Sequence, residues 1–113
     1  VYKRQIMEER TRSFAELQEA IEEAQRKGES TVPFVRQQIR LLEKAHDEFI
    51  IQAQAKGYSL SDPRVGEIEV QQYAAMRQLA EQIGDSVEKY DLLIRRCRER
   101  VFGVENTKRF FGY

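Results

Sequence analysis

Between residues 63 and 104 the apolar side chains keep helical register for more than ten turns, and this stretch constrains the chain more than any other. At ~100° per residue, Val65, Ile68, Met76, Leu79, Ile83, Val87, Tyr90, Ile94, Cys97 and Val101 share one sector of roughly 140°. A two-stranded seam is narrower than that. The width suits a helix packed against two neighbours at once, so the preceding residues are expected to supply those neighbours.

They contain two further periodic stretches. Residues 2–27 form the first expected helix, with Met7, Phe14, Leu17, Ile21 and Ala24 at three-four spacing and Arg10 completing the face. Arg26 and Lys27 suit its negative end, and Gly28 suits a left-handed stop. A second helix over residues 32–56 follows, capped by Ser30 or Thr31 with Pro33 in its first turn. Its stripe runs Val35, Ile39, Leu42, His46, Phe49, Ala53, widened by Phe34, Leu41 and Ala45. Asp62-Pro63 is a strong start signal for the third helix. Gly84-Asp85-Ser86 interrupts that helix, and Asp85 with Glu88 could cap a separate fourth one. The apolar phase is the same on both sides, which favours one continuous or gently kinked helix over residues 63–102. The expected fold is therefore an all-α antiparallel three-helix bundle over residues 1–102, with an aromatic and basic tail over residues 103–113 that lacks strong helical periodicity.

A third helix of ~40 residues would span ~60 Å against ~38 Å for each partner, so its last turns should project beyond them. Leu93, Ile94, Cys97 and Val101 would then need a cover, as would Leu92 and the tail aromatics Phe110, Phe111 and Tyr113. Ile51 and Val70 also point away from the expected core. Exposed apolar strips mark interaction surfaces. Arg95, Arg96, Arg98, Arg100, Lys108 and Arg109 form a basic rim around this one, which can orient a partner. Nineteen basic and nineteen acidic residues cancel overall. From Lys89 onward, however, seven basic residues face three acidic ones, a net +4, which leaves −4 for residues 1–88.

Little here suggests catalysis. Glu43 and His46 have the Glu-x-x-His spacing of carboxylate-bridged metal bundles, but such a site needs two pairs and the chain has one histidine. His46 lies on the apolar stripe and reads as a core residue hydrogen-bonded to a neighbour. Cys97, the only cysteine, lies on the buried sector and has no second histidine as its base. Glycine-rich phosphate loops, nucleophile elbows and zinc spacings are absent. The chain reads as non-catalytic, with no cofactor, metal or small-molecule substrate.

No apolar run approaches a membrane span, and one cysteine suits a reducing compartment, so a cytoplasmic or nuclear location is expected. A sequence opening on Val1 is expected to belong to a longer chain. The best reading is a protein-interaction or self-association module that uses the carboxyl half of the third helix and the tail. The alternative is a nucleic-acid-associated module that uses Arg95, Arg96, Arg98 and Arg100; Asp91 and Glu99 dilute that cluster. A domain that only spaces larger neighbours is a third possibility.

The order of features also resembles the helical region near the amino end of gag-like polyproteins from BEL/Pao-type retroelements. A basic start, Arg10-Thr11-Arg12, precedes a Leu/Ile helix and a short connector. The run Gln38-Ile39-Arg40-Leu41-Leu42-Glu43 is followed by Asp47-Glu48-Phe49 and then by a helix containing Tyr73. The likeness is one of spacing and covers about residues 10–90. It departs from the family in placing His46 before Phe49, and no zinc knuckle follows. The resemblance implies scaffolding and assembly through protein contacts.

Overall fold

The computed structural model describes residues 12–113, and among these every regular element is a helix: α1 (Phe14–Lys27), α2 (Val32–Ala55), α3 (Pro63–Gln82), α4 (Glu88–Phe102) and α5 (Val104–Phe111). Residues 1–11, with Met7 and Arg10 of the expected first helix, lie outside the described residues. The helix that ends at Lys27 starts at Phe14, where Ser13 and Glu16 form a reciprocal capping box in which each side chain accepts from the other's backbone N–H. At its end Gly28 adopts φ 71°, and its N–H together with that of Glu29 satisfies carbonyls of the last turn.

The expected single third helix is two helices. Ile83 ends α3, Gly84 takes φ 73°, and the Asp85 N–H donates to the Ala80 carbonyl, a left-handed stop that turns the chain back. The anticipated Asp85–Glu88 box does not form. Ser86 Oγ instead accepts from the Glu88 N–H, while the Asp85 carboxylate pairs with Arg36 at 3.2 Å. The preserved apolar phase misled because a hairpin whose two arms turn their stripes toward the same core needs no change of phase.

Each helix packs on the next in sequence. Opposed pairs show that α2, α3 and α4 alternate in direction: Arg36 meets Asp85 and His46 meets Glu69, while Arg77 meets Asp91 and Gly66 meets Val101. α3 is therefore the central helix, and Ile21, Val35, Ile39, Met76, Ala80 and Tyr90 form the buried core, with Leu42, Tyr73, Leu79 and Leu93 against it. The buried stripe of α3 carries one charged residue, Glu69.

The break removes the projecting overhang. Ile94 and Cys97 are buried, and Leu93 and Val101 are half-buried. The covering surface is this chain's own α3, since α4 folds back along it. α3 and α4 approach closely at Gly66, where a Cβ would overlap the Cγ2 methyl of Val101. The tail also differs from expectation, because residues 104–111 are helical. Gly103, at φ 84°, sets off α5 from α4, and the Thr107 hydroxyl donates to the Gly103 carbonyl at 2.7 Å. None of the helices is long and apolar enough to cross a membrane among the described residues.

Candidate functional site

Two features converge on α4, a polar one turned inward and an apolar one turned outward. The inward one centres on Glu69, 3% exposed on α3. Its Oε2 lies 3.0 Å from His46 Nε2 of α2, and its Oε1 accepts from Arg100 Nη2 of α4. Arg100 Nε also donates to the Leu60 carbonyl at 3.1 Å, which ties the α2–α3 connector to α4. The Tyr73 ring stacks obliquely on His46 with centroids 4.7 Å apart. One carboxylate thus holds three consecutive helices together.

Arg100, expected in a solvent-facing rim, is partly exposed while its guanidinium pairs with buried Glu69. The arrangement agrees with His46 as a hydrogen-bonded core residue. Cys97 adjoins the cluster, 3.6 Å from Arg100 Nη2. Burial, aided by the nearby Glu69 charge, pushes its thiol up to about 11. Burial likewise pushes the Tyr73 phenol up to about 12. Both groups stay protonated near neutral pH, so neither is poised as a nucleophile or base there. No group of three or more His, Cys, Asp or Glu side chains is placed to hold a metal ion among the described residues.

The outward feature is an apolar cleft of about 330 Å³ where the amino half of α3, the carboxyl half of α4 and α5 meet. Gly66, Val70, Cys97, Val101, Phe102 and Phe111 supply its walls, with Pro63 and Gln71 at the margin and Glu67 and Arg98 as its charged lining. Phe111 stands here because α5 is stapled to α4 by arginine–aromatic contacts. Arg98 lies over the Phe111 ring at 4.1 Å and donates to the Tyr113 hydroxyl at 2.8 Å, while Arg95 lies over the Tyr113 ring at 5.5 Å. Phe102 and Phe111 pack with centroids 5.9 Å apart. Guanidinium–ring contacts of this kind contribute about 0.5–1 kcal/mol each at exposed sites.

No family model, curated protein or solved structure matches the chain.

The geometry sorts the residues expected at the carboxyl surface. Cys97, Val101 and Phe111 meet in the cleft, and Val70 joins them from α3. Phe110 and Tyr113 remain exposed beside it. Leu93 packs into the core, Ile94 is buried, and Leu92 and Ile51 are exposed outside the cleft. Of the basic rim, Arg95 pairs with Glu99 as well as Tyr113, and Arg98 and Arg100 are engaged as described. Arg96, Lys108 and Arg109 have no ion-pair or ring partner among the described residues. Sequence reasoning missed Glu69, Gly66, Glu67 and Phe102. Glu69 had a visible signal, since it follows Val65 by four residues and precedes Met76 by seven, in line with the buried stripe.

Proposed function

We propose that the chain is a non-catalytic helical module for self-association, with the α3–α4–α5 cleft and the aromatic carboxyl end as its contact surface. The observation that carries this reading is the use to which Arg95 and Arg98 are put: they hold Phe111 and Tyr113 in place beside an apolar cleft. Phe102, Val104, Phe110, Phe111 and Tyr113 are all exposed large apolar residues within one short carboxyl segment. Such concentration of apolar surface is a mark of contact sites. The residues that carry it are no longer an unsupported helix end but a surface built on a folded hairpin. The likeness to gag-like helical regions points the same way, toward assembly.

The nucleic-acid reading is weaker, because three of its four arginines, Arg95, Arg98 and Arg100, are engaged by the chain itself. A phosphate-binding face would keep them free to displace counterions. Sedimentation of the full chain over a wide concentration range tests the choice, run beside binding of a fluorescent single-stranded oligonucleotide at low salt. The proposal expects mass above the monomer and no salt-sensitive oligonucleotide binding. A monomer at every concentration would remove it, and tight oligonucleotide binding lost at moderate salt would favour the alternative.

A further inference from the structure

The two arms of the α3–α4 hairpin fit a second arrangement as well as the one they adopt. Val65, Met76, Ala80 and Ile83 before the turn and Val87, Tyr90, Ile94 and Cys97 after it fall within about 100° of one another at ~100° per residue. Residues 83–87 thus preserve helical phase although the chain reverses there. A reversing turn imposes no such agreement, whereas a continuous helix does.

The register agrees too. The facing pairs Gly66–Val101, Glu69–Arg100 and Arg77–Asp91 are each centred within one residue of Gly84. Two copies whose α3 and α4 ran on as one helix would therefore lie antiparallel about a two-fold axis at Gly84, with these pairs re-formed between chains. α4 packs on α3 and α5 on α4, so the carboxyl arm moves as a unit. What keeps the arm folded back is local to the turn. Gly84 has φ 73°, where an L side chain is strained, and the neighbouring Arg36–Asp85 pair is solvent-exposed and adds little.

We infer that two copies exchange their carboxyl arms, residues 88–113, with residues 83–87 straightened so that α3 and α4 of each chain form one helix. The docking surface is the α3 face that α4 covers within the single chain, and its occupant is α4 of a second copy. The exchange goes beyond the carboxyl-end contact proposed above and does not depend on it, because α5 travels with α4. Opening the hairpin parts Arg100 from buried Glu69, so native copies exchange slowly and the swapped dimer is collected by refolding at high concentration.

The test is refolding of the full chain from denaturant at micromolar and at millimolar concentration, followed by dilution and size-exclusion chromatography. The parent should give a dimer fraction that grows with refolding concentration and persists on dilution. A Cβ at position 84 meets nothing within 4 Å, so substitutions there act through the backbone alone. Gly84→Ala disfavours the left-handed turn and favours the helix, and should raise the dimer-to-monomer ratio by roughly tenfold or more. Gly84→Asn tolerates the turn and should stay within about threefold of the parent. Adding Gly66→Cys, Val101→Cys and Cys97→Ala to Gly84→Ala reports which chains pair, since a Cβ on Gly66 lies 3.7 Å from that of Val101, a separation that a disulfide spans. The oxidised dimer should then run as a covalent dimer on a denaturing gel. Disulfides confined within each chain, or no dimer from Gly84→Ala at any refolding concentration, would overturn the exchange. Reversible association of native chains without a persistent refolded dimer would overturn it too, while leaving the carboxyl-end contact standing.

Discussion

The same helix, α4, uses its arginines in two opposite ways. At Arg100 the guanidinium turns inward, closes on buried Glu69 and binds α2, α3 and α4 into one unit. At Arg95 and Arg98, on the outer side, guanidinium groups lie on aromatic rings and hold a short helix against the surface. The first contact removes a carboxylate from water and cannot be given up without stranding it. The second stays solvated on one side and costs little to open, which is how segments of low local stability are made. The inner contact joins three helices, and the outer ones hold the aromatic end against them.

Breaking the inner contact should have the largest effect. Arg100→Ala leaves Glu69 with His46 alone and should cost about 2–4 kcal/mol, reduced from the fully buried case because the Arg100 side chain is partly exposed. Chemical denaturation would measure this, and a loss under about 0.5 kcal/mol would mean that water reaches the carboxylate.

Gly66→Ala comes next. It gains up to about 1 kcal/mol of helix propensity but drives a methyl group into Val101, so a net loss of about 1–2 kcal/mol is expected. Restoration by Val101→Ala would show that this contact, rather than the backbone, is responsible.

A pH effect sharpens the contrast between buried and solvated groups. The folded Cys97 thiol titrates near 11 against an ordinary value of 9.0, so the native state holds its proton more tightly than the unfolded chain. The stabilisation is therefore complete below about pH 9 and is lost as pH rises toward 11. Tyr73 adds the same sign between about 10 and 12. The thermal midpoint should fall through this window, less steeply in Cys97→Ala, and alkylation of the native thiol should be slow at neutral pH.

The smallest global effect belongs to the outer contacts. Arg98→Ala should change overall stability by less than about 1 kcal/mol while speeding amide exchange across residues 104–111. Exchange that accelerates equally through α3 would erase the distinction between the two regions.

What could be read in the sequence follows from how local each signal is. Gly28 and Asp62-Pro63 mark helix ends through backbone geometry and capping, and the chain turns where they stand. The Ser13-x-x-Glu16 capping box was equally local, but the periodicity before it masked it. Gly84 was ambiguous because a hairpin and a continuous helix present the same apolar phase; only long-range pairs such as Arg77 with Asp91 at 2.7 Å separate them. Arg100 looked like its arginine neighbours because its carboxylate partner lies 31 residues away. Val101, Cys97 and Phe111, expected among the residues of an unsupported helix end and tail, line a cleft between helices instead, which only the hairpin at Gly84 creates.

The break at Gly84 also decides where the chain can be cut. Ending it near Lys89 would remove Ile94 and Cys97 from the core, whereas ending it at Gly103 removes only α5 and the last two residues. Sedimentation equilibrium of the full chain beside the chain ending at Gly103, with matching circular dichroism, therefore tests the central claim most directly. The account predicts concentration-dependent association for the full chain and a folded monomer for the shortened one. Equal association of the two, or a full chain that stays monomeric, would contradict it.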